Sequence, residues 1–202
     1  MVSNYHGAIR FRMEFPFSPA GLDLLAMTVL RIDVRADETQ KLLAELQRRT
    51  GNIKPAMEGI GQILVSNTQQ RFVDQVDPDD HEWDKLSDIT LARRRKAGSG
   101  AKILRDTGRL AASINYRVVG GRFELGTNVV YAPTHQYGAK KGSYGRTRKG
   151  SPIPWGDIPA RPFFGYNDQD QADVLELLQR YIDASRPQSW WQRFLDLFRR
   201  LF

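Results

Sequence analysis

The stretch INYRVVGGRFEL, residues 114–125, decides the fold. Apolar and polar side chains alternate over residues 114–118, which is the period-two pattern of a half-buried strand. Gly120-Gly121 supplies a two-residue turn, and Phe123 and Leu125 continue the alternation on the way back. The stretch therefore predicts an antiparallel β-hairpin.

Upstream of the hairpin, the sequence predicts one strand and two helices. Leu30, Ile32 and Val34 alternate with charged residues, as in a strand with one buried face. A helix follows, with Asp37 and Gln40 at its start and Gly51 after its end. A second helix begins near Pro55 and runs to about Asp74, and its two glycines, Gly59 and Gly61, indicate close packing against a neighbour.

The remaining elements are less regular. Trp83 is expected to anchor a loop, and Ser87 or Asp88 to cap a short basic helix. Residues 104–114 have a helical rhythm, and Thr127 to Tyr131 is predicted to be a third strand. Asp170 to Ser185 is predicted to be a terminal core helix. The predicted class is α+β, with an antiparallel sheet and a central β-hairpin packed against several helices.

Composition limits the chemistry available to the chain. It has 202 residues, which suffice for one domain with a sizeable core, and no cysteine, which excludes disulfides, thiolate nucleophiles and cysteine zinc sites. The formal net charge is +7, and much of the excess lies in the clusters Arg93 to Lys96 and Lys140 to Lys149. Such local concentration favours contact with a polyanion or an acidic protein face.

The two ends of the chain differ from its middle. Glu14, Pro16 and Pro19 interrupt the first apolar stretch, which argues against a cleaved signal or a membrane span. Because the family resemblance described below begins near Met27, residues 1–26 are interpreted as an N-terminal extension or the product of an upstream translation start, and residues 27–185 as the main domain. Residues 186–202 are interpreted as an appended C-terminal helix, separated from the core helix by Pro187.

No catalytic or metal site is predicted. Glu82 and Lys85 invite comparison with metal-dependent nucleases, but Trp83 stands where such enzymes need an acidic residue. The acidic run at residues 77–84 lacks the glycine and final glutamate of an EF-hand loop. No serine or carboxylate is tied to His135 by a known spacing, so a hydrogen-bonded packing histidine is expected there. The loop glycines lack the helix start of a P-loop, and no cofactor is expected.

The glycine-rich loop at residues 140–149 is a candidate DNA contact. Its cations surround an aromatic residue, a composition that can contact phosphates and stack on a base. The candidate residues are Lys140, Lys141, Tyr144, Arg146, Arg148 and Lys149. The alternative is a mobile loop that becomes ordered in an assembly.

Residues 158–165, IPARPFFG, are predicted to be rigid and extended because each proline restricts its own φ and that of its predecessor. Such a segment can hold Arg161 in a fixed direction, with Phe163 or Phe164 buried nearby. These three residues are therefore candidate contacts with another subunit or partner. The alternative is a packed lead-in to the last helix.

The last residues, 190–202, sort at about 100° per residue into an apolar and a polar face. The candidate partner contacts on the apolar face are Trp190, Trp191, Phe194 and Phe198. Such a face suits a groove of a neighbouring subunit or a connector protein, or a membrane surface, and the family resemblance described below implies the groove.

The order and spacing of several short blocks resemble the phage virion morphogenesis family, which includes the tail completion proteins of P2-type phages and late proteins of Mu-like phages. The resemblance covers roughly Met27 to Ile182. The blocks are Leu104 to Leu110, Gly126-Thr127-Asn128 with Tyr131-Ala132, His135 to Gly138, and Ile158 to Gly165.

The resemblance implies a non-enzymatic bacteriophage or prophage protein that completes the tail at its head-proximal end and helps head-tail joining. The implied partners are other copies of the chain in a ring, the tail tube or terminator, and head connector proteins. The implied location is the host cytoplasm during assembly, then the neck of the virion. The rival hypothesis is a stand-alone nucleic-acid-binding protein that uses the basic loop and Arg93 to Lys96.

Overall fold

Four strands form one antiparallel sheet in the computed structural model, which describes residues 9–14, 28–34, 37–96, 98, 102–119 and 122–185. In chain order the strands are β1 (Ile9–Glu14), β2 (Thr28–Val34), β3 (Asn115–Val119) and β4 (Arg122–Thr127). Their order in the sheet is β1-β2-β4-β3. Strand β1 comes from the segment interpreted above as an N-terminal extension, and it pairs along β2 from Ile9↔Val34 to Glu14↔Val29.

The central hairpin is confirmed. Strands β3 and β4 pair from Asn115↔Gly126 to Val119↔Arg122, so two residues separate the last pair. The predicted upstream strand is also confirmed as β2, which pairs with β4 through Leu30↔Leu125. The side chain of Leu125 is fully buried and joins the sheet to the hydrophobic core.

Six helices accompany the sheet within the described residues: α1 (Asp37–Thr50), α2 (Lys54–Asp74), α3 (Asp88–Lys96), α4 (Arg109–Ala112), α5 (Ala132–Tyr137) and α6 (Asp168–Ala184). Helix α2 packs on β3 and β4, and α6 packs on α1 and α2. The fold is therefore α+β, as predicted. None of the described helices has the length and apolar content needed to cross a bilayer.

The glycines of α2 bring it close to its neighbours. A Cβ atom built on Gly61 would lie 2.2 Å from Cδ2 of Tyr116 on β3, well inside contact distance. A Cβ atom on Gly59 would lie 2.9 Å from Cδ2 of Leu177 on α6. The close packing predicted for these glycines is therefore confirmed.

Two predictions of local structure are wrong. Residues 104–108 are not helical, because Leu104 and Gly108 have left-handed φ angles of 54° and 76°, and only the four residues of α4 form a helix. Strand β4 ends at Thr127, whose hydroxyl accepts a hydrogen bond from the Val129 N–H at 3.2 Å and turns the chain into α5. There is accordingly no third strand at residues 127–131.

The terminal core helix is confirmed as α6. Asn167 and Asp170 form a reciprocal capping box at its start, and Val174, Leu178 and Ile182 are buried. The amphipathic helix predicted within residues 186–202 lies outside the described residues, as do all residues of the 1–26 segment except β1.

Candidate functional site

The extended segment 158–165 is exposed at Pro159 and Ala160 and enters the interior of the chain from Arg161 onward. Phe163 and Phe164 are fully buried, with ring centroids 4.7 Å apart, and Phe163 also packs on Phe72 of α2 at 5.2 Å. Gln136 of α5 binds their backbone: its Oε1 accepts from both N–H groups at 3.0 Å, and its Nε2 donates to the Phe164 carbonyl at 2.9 Å. The two phenylalanines thus form part of the hydrophobic core of the chain itself.

Two further side chains hold the same segment. Trp83, the predicted anchor, is buried, and its Nε1 donates to the Pro162 carbonyl at 2.7 Å. Arg71 of α2 donates to the carbonyls of Phe163 and Gly165 and forms a buried ion pair with Asp170 of α6 at 2.5 Å. Three separate parts of the chain therefore fix the path of this segment.

Arg161 is also buried, with 6% of its surface exposed. Its Nε donates to the Asp84 carbonyl at 2.8 Å and its Nη2 to the Lys85 carbonyl at 3.2 Å. No carboxylate among the described residues lies within ion-pairing distance of it. Burial lowers the pKa of Arg161, the charge of Asp84 acts in the opposite direction, and Arg94 lowers it further. The guanidinium is therefore held by neutral carbonyls beside a second cation.

Arg161 borders a cleft of about 640 Å³ between α3, α4, α5 and residues 157–161. Five cationic and two anionic side chains line it. The cations are Lys85, Arg93, Arg94, Arg109 and Arg161, and the anions are Asp106 and Asp157. Its walls also include Leu86, Leu104, Leu110, Tyr131, Ile158 and Pro159. This basic cleft has the mixture of apolar wall and fixed charge that suits an anionic peptide or phosphate.

Both carboxylates of the basic cleft already have partners. Asp157 accepts from the Lys141 N–H at 2.8 Å and from Lys140 Nζ at 2.9 Å, and these two contacts lower its pKa in that order of importance. Asp106 lies 3.6 Å from Nε of Arg94, whose Nη1 donates to the Lys102 carbonyl. The cleft therefore keeps a surplus of positive charge.

His135 of α5 lies on the wall of the basic cleft. Its Nδ1 is buried, and no hydrogen-bond partner for it exists within the part of the chain that the structure describes, contrary to the expected hydrogen-bonded histidine. Burial first, then the charges of Arg161 and Arg94, lower its pKa to about 4. The imidazole is consequently neutral at pH 7, and its ring packs edge-on against Tyr131 at a centroid distance of 5.7 Å.

The candidate DNA contacts lie on a long loop, residues 139–158, whose backbone is hydrogen-bonded to itself. Backbone bridges join Ala139 to Ile158 and Arg146 to Pro152, and the Tyr144 hydroxyl shares a hydrogen bond with Thr134 at 2.7 Å. The side chains of Lys141, Arg148 and Lys149 are exposed. Trp155, which sequence analysis did not select, is 77% exposed on the same loop. The prolines and the glycine around Trp155 are typical of a turn, and they could have indicated that its side chain is exposed.

The turn at residues 77–82 carries acidic residues on a fixed backbone. Oδ1 of Asp77 accepts from the N–H groups of Asp79 and His81 at 2.8 and 2.9 Å, and Val76 and Glu82 form a β-bridge. Side-chain ligand atoms of Asp77, Asp79 and His81 come within 4.8 Å of one another. This cluster is solvent-facing, and backbone donors already engage Asp77, so an acidic turn is sufficient to explain it.

Comparison with known proteins gives two matches. A sequence profile of the phage virion morphogenesis family matches residues 34–183, from the end of β2 to the last turn of α6. The Mu-like prophage FluMu G protein 2 of Haemophilus influenzae is 33% identical over 153 residues, which cover 74% of this chain and 95% of that protein. No solved structure matches the chain.

Proposed function

The chain belongs to the phage virion morphogenesis family, and from that premise we propose that it is a structural protein that completes the head-proximal end of the tail and helps it join the filled head. The observation that carries the proposal is the match over residues 34–183, which takes in nearly every described helix and the central hairpin. A similar protein bears the name of a Mu-like prophage product, which agrees with a role in virion assembly.

The proposed mechanism is assembly without catalysis. Identical subunits form a ring through head-to-tail contacts, which generate a closed ring when the rotation between neighbouring copies closes. The apolar face that the sequence predicts for Trp190, Trp191, Phe194 and Phe198 docks on a neighbouring subunit or on a head connector or tail terminator protein. The chain acts in the host cytoplasm during assembly and then stays in the neck of the virion.

The test is a stop codon in this gene of an inducible prophage, with electron microscopy of the lysate. We expect DNA-filled heads and separate tails with few joined particles, and recovery when the wild-type chain is supplied in trans. Normal numbers of infectious, joined particles without the protein would contradict the proposal. A separate count of heads and tails distinguishes a defect in joining from a defect in making either part.

A second candidate function is DNA contact through residues 140–149. Its support is the exposed basic and aromatic surface of Lys141, Arg148, Lys149 and Trp155, carried on a hydrogen-bonded backbone. The change of these three cations to glutamine leaves the Lys140–Asp157 pair intact. It should weaken DNA binding and reduce the slope of log K against log salt by about 3, as expected for three lost phosphate contacts. An unchanged salt slope would exclude this surface.

A further inference from the structure

The basic cleft defined above holds more positive charge than its own subunit neutralises. Among the described residues, the buried guanidinium of Arg161 donates only to the backbone carbonyls of Asp84 and Lys85, and Arg93 and Arg109 are exposed at the rim. The cleft carboxylates Asp106 and Asp157 already contact cations of the same chain. A cleft of this kind gains most from an incoming group that brings carboxylates and excludes water.

The acidic turn, residues 77–82, is the complementary feature. It places four carboxylates in six residues, and Asp79, Asp80 and Glu82 are exposed. The turn is rigid, because Asp77 binds its backbone and the Pro78 carbonyl accepts from Nδ2 of Asn167 at 2.7 Å. A ligand that is already ordered loses little conformational entropy when it binds.

The acidic turn does not line the basic cleft of its own chain, although Lys85, Leu86 and Ser87, a few residues further along, do. Pro78 packs against Gly165, where an added Cβ atom would lie 2.3 Å from Cγ of Pro78, and it is also tied to Asn167. The cleft is lined by residues 157–161, at the other end of the same extended segment. Because these contacts fix the turn outside the cleft of its own chain, its carboxylates are available to the cleft of another copy.

We propose that the acidic turn of one subunit docks in the basic cleft of the next, so that each copy donates a turn and accepts one. This inference rests on the proposed ring and names the contact that closes it. A chain with a net charge of +7 repels other copies of itself, and a turn with four of its 23 acidic residues offsets that repulsion at one defined place. The contact is heterologous, which is the kind that generates rings.

A charge-swap series measured by light scattering on the full chain tests the pairing. The cleft variant Arg93→Glu/Arg109→Glu and the turn variant Asp79→Lys/Glu82→Lys should each lower the assembled mass, while the chain with all four changes should regain it. The control is Glu176→Lys/Arg180→Glu, which reverses an exposed pair on α6 and should leave the mass unchanged. Circular dichroism checks that each variant is folded.

Three outcomes would overturn the pairing. Loss of assembly in the cleft variant alone would mean that the cleft receives a different acidic partner. Loss of salt-dependent DNA binding in the cleft variant, with normal assembly, would mean that the cleft binds phosphate. If the folded chain with all four changes does not regain the assembled mass, the turn and the cleft do not meet.

Cross-linking separates this inference from the proposed function. The chain has no cysteine, so Glu82→Cys and Arg109→Cys in one chain provide the only thiols. Treatment of assembled tails with a short bismaleimide should give a ladder of linked copies, whereas the exposed control pair Ala172→Cys and Arg109→Cys should not. If tails need the protein but no ladder forms, this inference fails and the proposed function stands. If tails form and join to heads without this protein, the proposed function fails.

Discussion

At the scale of single residues, the pair between Arg71 and Asp170 joins α2, α6 and the 158–165 segment in one buried network. Asp170 also accepts hydrogen bonds from the side chain of Asn67 and the backbone of Asn167, so Arg71→Met would leave a buried carboxylate without its cation. We expect a loss of about 3–5 kcal/mol in the free energy of unfolding, measured by denaturant titration.

The exposed pair Arg180–Glu176 on α6 is the matched control for this prediction. Because solvent screens that pair, Arg180→Met should cost no more than about 0.5 kcal/mol. Equal costs for the two variants would show that the buried pair has no special role. A double variant, Arg71→Met/Asp170→Asn, should cost less than the sum of the two single changes because no isolated buried charge remains.

The partly buried His135 makes stability depend on pH. Its pKa is about 4 in the folded chain and about 6.5 when unfolded. Protonation therefore favours the unfolded chain, so stability is full above pH 6.5 and falls as the pH drops toward 4. The groups that act on the ring are Arg161 and Arg94, with Tyr131 packed against it.

We expect His135→Phe, which removes the titration and leaves no Nδ1 to satisfy, to gain stability relative to the wild-type chain as the pH falls from 7 to 4.5. The gain should be on the order of 2 kcal/mol. Unfolding titrations of both proteins at several pH values give the difference directly. A difference that stays constant with pH would show that His135 remains uncharged in both states or exposed in both.

The extended backbone of the 158–165 segment was predictable from its sequence, but the direction of each side chain was not. The prolines correctly indicated an extended backbone, and Phe163 is buried as expected. The hydrogen bonds of Arg161 to the carbonyls of residues 84 and 85 join positions more than seventy residues apart. Local sequence patterns carry no information on such distant backbone partners, so a buried arginine and an interface arginine look alike.

At the scale of elements, the contact between α2 and β3 depends on Gly61. Three ring atoms of Tyr116 lie within 2.5 Å of the position of an added Cβ atom, so Gly61→Ala requires movement of the whole ring or of the helix. We expect a loss of about 1–3 kcal/mol in the free energy of unfolding. Thermal unfolding of the variant measures it.

Gly59→Ala is the control, because it adds the same atom to the same helix. Its closest neighbour is a terminal methyl group of Leu177, which can change rotamer, and alanine favours a helix over glycine by about 1 kcal/mol. Its net effect should be close to zero. If Gly61→Ala were as well tolerated as Gly59→Ala, the close approach of α2 to the sheet would not limit this position.

Elements with a clear period were predictable and short ones were not. The hairpin and helices α1, α2 and α6 repeat their apolar residues over several turns or alternations. Helix α5 has six residues, too few for a period, and the preceding Val129-Val130 favours a strand by composition. Pro133 in its first turn was the available signal. Val129 is buried while Val130 is 82% exposed, which fits a turn between two elements.

At the scale of the whole molecule, the contents of the basic cleft could not be foreseen from sequence. Its cations come from α3, α4 and residues 85 and 161, which no spacing rule connects. The sequence did indicate a cationic surface through the cluster Arg93 to Lys96, but two of those residues line the cleft while Arg95 and Lys96 do not. The fold places α3, residues 104–110 and residues 157–161 around one cleft, and this brings the charges together.

We expect the folded core to determine the thermal stability of the chain, and the last seventeen residues to determine its assembly. Helix α6 ends at Ala184, and its last turn closes on itself, since the Ser185 N–H donates to the Tyr181 carbonyl at 3.0 Å. We expect a chain ending at Ser185 to keep its melting temperature within about 3 °C of the full chain, because no buried side chain of α6 is removed. Its assembled mass should fall, because the apolar face with Trp190 and Trp191 is lost. Calorimetry and light scattering on the same samples measure both quantities. A melting temperature lower by about 10 °C or more would instead place these residues in the subunit's own core.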